Sequence, residues 1–98
     1  KIRWYSWWVS HSVEKISIEN KIKPAHANWL EAFSFTKVSD LPREDKLPPN
    51  YPGLLSSEDT RKVFKDGSFG GAYEVDSSIM HKIFHACYLD IISLLDFE

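Results

Sequence analysis

The sequence predicts a small α+β domain, with a long C-terminal helix packed on a small antiparallel sheet and two short helices beside it. Three observations predict it. Residues 77–98 carry an uninterrupted helical period. Residues 2–9 and 15–22 have the composition and alternation of strands, and residues 57–66 have the local grammar of a short capped helix. An all-α arrangement is the alternative, because Tyr5, Trp8, Val9, Val13 and Ile16 also fall on one helical face and neither Gly nor Pro intervenes before Pro24. At 98 residues the chain is expected to form one domain over 1–98, with a small core and a net stability on the order of several kcal/mol.

The elements follow in chain order. Residues 2–9, IRWYSWWV, are rich in aromatic and β-branched types that favour strands. In residues 15–22, Ile16, Ile18 and Ile22 alternate with Lys15, Ser17, Glu19 and Lys21, which suits a half-buried strand. Trp4, Trp7 and Trp8 cannot all point one way, so at least one is expected near the surface. After Pro24, His26, Trp29, Leu30 and Phe33 have the spacing of an amphipathic helix over 24–34, with His26 a packed core histidine on its apolar face.

Residues 36–56 contain Pro42, Pro48, Pro49 and Pro52, a density that neither a helix nor a sheet interior tolerates. They predict a long surface loop, tacked down by Leu47, Tyr51, Leu54 and Leu55, with the PREDK charges in solvent. Residues 57–66 then offer Ser56 or Ser57 as cap, Glu58 and Asp59 in the first turn, Lys62 and Lys65 near the end, and Gly67 as a C′ residue. Phe69 to Val75 reads as a short strand. Its glycines match no phosphate-binding loop.

In 77–98, Ile79, Met80, Ile83, Phe84, Cys87, Tyr88, Ile91, Leu94 and Leu95 recur at steps of three and four, with Asp76, Ser77 and Ser78 as candidate caps. A helix apolar over more than half its circumference is expected to be surrounded. Asp96 and Glu98 oppose the helix dipole if helical. They leave open a helix that frays at about Leu95 or a small acidic end beside Tyr88, Leu89 or Ile92.

Chemistry is sparse. His81 and His85 are four apart and are weak metal candidates, but no Glu makes the pattern HExxH and a third ligand is not evident. Cys87 falls within the apolar arc, where burial raises a thiol's pKa and makes it inert. His85 points to a different face, so no Cys–His pair forms on this helix. No cofactor motif is present. A single cysteine excludes an internal disulfide and fits a reducing, cytoplasmic compartment. No run is long and apolar enough for a membrane span, and the N-terminal WYSWWV is too short and Trp-rich for a secretory leader.

Charge is distributed unevenly. Residues 1–37 sum to +3 and residues 38–98 to −5, for a net −2. This balance argues against nucleic acid as a partner and for a cationic protein. Surplus aromatics suit an interface. The sequence therefore predicts a non-enzymatic protein-binding module, most concretely a bacterial immunity or antitoxin-type inhibitor that occludes a basic toxin such as a nuclease. It is expected as a monomer or in a heterodimer with its target, away from nucleic acid and membrane. Asp40, Glu44, Asp45, Tyr51, Trp7, Tyr88, Asp90, Asp96 and Glu98 are the candidate contacts. The alternatives are a subunit of an obligate assembly, or a metal protein or enzyme using His81, His85 and His26.

Overall fold

A computed structural model describes residues 1–95. The described residues are predominantly helical. They form three α-helices, α1 (His11–Glu19), α2 (Ser57–Phe64) and α3 (Ser77–Leu94), with short 3-10 turns at Trp7–Val9, Trp29–Glu31 and Ser34–Thr36. Among them there is no strand, only an isolated antiparallel bridge between Lys46 and Gly71. The expected antiparallel sheet, and with it the α+β class, is therefore overturned. The chain gathers into two compact units, one from Lys1–Lys23 together with the stretch beginning at Asp76, the other Pro24–Val75.

In the first unit, the Ser10 hydroxyl accepts from Val13 N at 3.2 Å and starts α1 as its N-cap. This is why residues 15–22 are not a strand. The period that wins is Val13, Ile16, Ser17: Val13 and Ser17 are buried and Ile18 is left exposed. The apparent alternation of Ile16 and Ile18 costs one isoleucine to solvent. The Ser17 hydroxyl donates to Val13 O at 2.9 Å, so its burial leaves no unmet donor.

The end of α1 is a Schellman motif. Lys21 N donates to Ile18 O (3.1 Å) and Ile22 N to Ser17 O (3.0 Å), with Lys21 in the left-handed region at φ 54. Residues 2–9 are not a strand either. Trp7–Val9 make one 3-10 turn, whose rings include an edge-on Trp7–Trp8 pair at 6.1 Å. Trp4 and Trp8 are exposed and Trp7 is half-buried.

Helix α3 begins as expected. Asp76 caps it, its carboxylate accepting from Ser78 N at 2.8 Å. It ends at Leu94, after which Leu95 is extended. The Arg3 guanidinium donates from Nε to Leu94 O at 3.2 Å, meeting an orphan carbonyl and the negative end of the dipole. Helices α1 and α3 pack together. Among the described residues, Val13, Ser17, Met80 and Ile83 are the buried side chains of this unit. The expectation that α3 is surrounded fails: Phe84, Tyr88, Leu89, Ile91 and Ile92 are all exposed.

In the second unit the expected 24–34 helix is absent. Ala27 is left-handed (φ 52), and Asn28 restarts the chain as an extended cap whose Oδ1 accepts from Leu30 N at 3.0 Å. Glu31 reaches back to Ala27 N at 2.6 Å. The 3-10 turn that follows ends at Ala32, which has left helical space. Trp29 and Leu30 are buried as the period implies. His26 is not a core histidine. It is exposed, with its ring edge-on to Phe69 at 5.1 Å. Residues 69–75 form no strand because Gly70 (φ 107) and Gly71 (φ 89) both take conformations outside the extended region.

Helix α2 has the expected cap, the Ser56 hydroxyl accepting from Asp59 N at 3.1 Å, and a Glu58–Lys62 pair at 3.1 Å. It stops at Lys65, left-handed at φ 56, two residues before Gly67.

Candidate functional site

The 36–56 loop has no helix or strand beyond the first residue of that stretch, yet it is pinned. Its pin is the lysine of PREDK. The Lys46 ammonium donates to Phe64 O (2.6 Å), Ser68 O (2.7 Å) and Asp66 Oδ1 (2.5 Å). Its backbone pairs with Gly71 in both directions, at 3.0 and 2.8 Å. Asp66 also accepts from Ser68 N at 3.1 Å and from the Tyr73 hydroxyl. The Lys46 bond, followed by the Tyr73 bond, holds the Asp66 carboxyl down at about 2. Only 15% of the Lys46 side chain is exposed.

Two further contacts hold the same loop. A β-carbon on Gly70 would lie 2.8 Å from Pro48 Cα, so the backbones meet at a distance only glycine permits. The Tyr51 ring rests on Phe64 with centroids 5.1 Å apart, and Phe64 in turn meets Phe69 at 4.9 Å. The expected anchors are thus partly reversed. Tyr51 does tack the loop down, but Leu47 and Leu54 are exposed, and a charged residue expected in solvent is turned inward.

Turning Lys46 inward changes the outer face of the loop. Asp40, Glu44 and Asp45 are exposed and, among the described residues, unpaired. Lys37 and Arg43 are the exposed cations left on the same loop. The structure therefore brings Asp40, Glu44, Asp45 and Tyr51 into one unit on one pinned loop.

Trp7, Tyr88 and Asp90 belong to the other unit. Asp90 is engaged there: Oδ2 accepts from the Tyr5 hydroxyl at 2.5 Å and Oδ1 from the Ser12 hydroxyl at 3.0 Å. Burial, then the bond to Asp90, pushes the Tyr5 phenol well above its ordinary value of 10.0. Burial likewise raises the Cys87 thiol, so it stays protonated and is no thiolate nucleophile at neutral pH. This cluster ties the N-terminal segment to α3. Asp96 and Glu98 lie outside the described residues.

His81 and His85 are exposed on α3, and the His85 ring stacks on Tyr88 with centroids 6.4 Å apart. Among the described residues no group of three or more His, Cys, Asp or Glu is placed to hold a metal ion. No helix among them is long and apolar enough to cross a membrane.

The sequence leaves exposure open only near Tyr88, Leu89 and Ile92, or through an assembly that closes the apolar arc, whereas the structure shows a surface stripe reaching back to Phe84. Phe84, Tyr88 and Ile91 lie within about 60° of one another around α3, and exposed Leu95 follows at the same four-residue step. The spacing was legible. What hid it was the expectation that an apolar helix is covered on all sides. Comparison with models of protein families, with curated proteins and with solved structures finds no match for this chain.

Proposed function

We propose that this protein is a small binding module that engages another protein through the pinned 36–56 loop. The observation that carries the reading is the inward-turned Lys46. It fixes the loop's backbone and leaves Asp40, Glu44 and Asp45 exposed, with Lys37 and Arg43 as the exposed cations of the same loop. A loop ordered before binding loses less conformational freedom on association, and clustered acids speed encounter with a cationic surface. The concrete form we favour is an immunity or antitoxin-type inhibitor. In it the loop occupies the basic substrate groove of a toxin, with Tyr51 as the aromatic contact beside the acids and the cytoplasm as the place of action.

Affinity capture from the source cell, run in parallel with the wild type and a Glu44→Lys/Asp45→Lys variant, tests this. The expected result is a basic protein retained by the wild type. Its association rate should fall about tenfold in the variant at low salt, with a smaller difference in high salt. Equal association rates for the two proteins remove the loop from the interface and with it this reading.

A second reading, a subunit of an obligate assembly, is favoured by a different observation. Among the described residues only five apolar side chains are buried (Val13, Trp29, Leu30, Met80 and Ile83), whereas seventeen large apolar side chains are exposed.

A further inference from the structure

We propose that residues 48–51 of the pinned loop are a polyproline-II ligand, read by a partner protein that carries a WW-type aromatic groove. This deepens the loop-binding reading and rests on it for one point, that the loop is the binding element. It makes no use of Asp40, Glu44 or Asp45.

Covalent chemistry sets the conformation. Residues 47–52 read Leu-Pro-Pro-Asn-Tyr-Pro. A proline fixes its own φ and turns the residue before it away from the helical region. Leu47, Pro48, Pro49, Tyr51 and Pro52 are each constrained in one of these ways or both, and Asn50 is the remaining residue. Such a stretch favours polyproline II, which has three residues per turn and no internal hydrogen bonds. In agreement, residues 47–52 lie outside any helix or strand, and among the described residues their backbone makes no backbone–backbone hydrogen bond.

Three residues per turn put Pro48 and Tyr51 on one edge, about 9 Å apart along the axis. Pro49 and Pro52 share a second edge, and Leu47 and Asn50 the third. Exposure separates the two proline edges. Pro48 is exposed and Tyr51 is 44% exposed, whereas Pro49 is half-buried. The edge open to a partner is thus a proline followed, one turn later, by a tyrosine. The Tyr51 hydroxyl has no hydrogen-bond partner among the described residues, unlike those of Tyr5 and Tyr73, which are bonded to Asp90 and Asp66. The Tyr51 ring leans on Phe64. Moving it into a partner's pocket gives up that ring contact and no hydrogen bond.

The segment is held at both ends. Lys46 pairs with Gly71 directly before it, and Ser56 caps α2 shortly after it. A ligand ordered before binding loses less freedom on association. A WW-type groove packs proline rings against aromatic side chains and exploits a preformed polyproline helix. An SH3-type reading of the same stretch would use Pro49 and Pro52, the edge that the fold partly covers.

Calorimetric titration of the full chain with a recombinant WW domain that binds Pro-Pro-x-Tyr peptides tests the proposal, with an SH3 domain run alongside. Saturable binding to the WW domain is expected, with a dissociation constant below about 1 mM. Pro48→Ala and Tyr51→Ala should each weaken it at least tenfold with an unchanged circular dichroism spectrum. Tyr51→Phe keeps the ring that leans on Phe64, and with it the anchor of the loop, and should weaken binding several-fold. Pro52→Ala and the Glu44→Lys/Asp45→Lys variant should bind as the wild type does. No binding to the WW domain overturns the proposal, as does binding insensitive to the Tyr51 variants. Loss of binding in Pro52→Ala but not in Pro48→Ala, or binding to the SH3 domain alone, overturns it in favour of the other edge. A chain that captures a basic partner through Glu44 and Asp45 yet ignores the WW domain overturns this proposal and leaves the charge-led reading standing. A WW complex formed by a chain that captures no basic partner does the reverse.

Discussion

Shortening Lys46 would strand three acceptors, the carbonyls of Phe64 and Ser68 and the Asp66 carboxylate. Lys46→Met keeps most of the apolar stem and removes the charge. It should lower stability by about 1–3 kcal/mol, the usual cost of leaving buried polar groups without a partner, read as a fall in the urea midpoint. The same node gives an acid limb. Asp66 is held at about 2 against an ordinary 3.8. Its folded value is depressed, so the unfolded chain binds the proton more tightly and acid favours unfolding. The contribution is full above pH ~4 and is lost as pH falls towards ~2. Asp66→Asn should flatten the stability profile in that window. About half of the Asp66 side chain is exposed, so solvent screens the effect and the limb is shallow. The inward turn of Lys46 was not legible in the sequence, where the PREDK run reads as five neighbours of the same solvated loop. What selects Lys46 is the set of oxygens contributed by residues about twenty positions later.

At the scale of elements, caps explain both the successes and the failures of sequence reading. Helices α2 and α3 were legible because their caps are of the preferred types and sit where the period begins. Ser56 and Asp76 both bond the backbone as such residues should. Helix α1 has an equally good cap in Ser10, but alternating isoleucines pointed to a strand, and its stop signal was written in an unusual residue. Lys21 takes a left-handed position that ordinarily belongs to glycine. Lys21→Gly should therefore relieve backbone strain and raise stability by about 0.5 kcal/mol, the gain being reduced by the greater freedom of glycine in the unfolded chain. A small rise in the thermal midpoint is the readout. A fall would mean that the lysine side chain contributes more than its backbone costs. The missing 24–34 helix has the opposite origin. Its apolar spacing is real, and Trp29 and Leu30 are buried, but Ala27 and Ala32 leave helical space on either side of a single turn.

At the scale of the molecule, the first unit is assembled from both ends of the chain and the second from its middle. The sequence marks both transitions, with Pro24 at one and the Asp76 cap at the other. Apolar content was legible from composition, but its location was not. Hydrophobic residues make up 43% of the chain, and five of them form the buried apolar set among the described residues. Periodicity shows which residues share a face. It does not show whether that face is covered.

That small buried set has a calorimetric consequence. The heat-capacity increment of unfolding tracks the apolar surface newly hydrated, and an ordinary domain of this length would show about 1.2–1.5 kcal/mol/K. Here much of the apolar surface is already wet in the folded chain. Scanning calorimetry should give an increment below about 1 kcal/mol/K, and a correspondingly flat dependence of stability on temperature. The remainder should appear when copies or partners associate, as a negative heat-capacity change of binding. Folding alone would then leave the temperature response of the monomer blunt, and assembly would sharpen it.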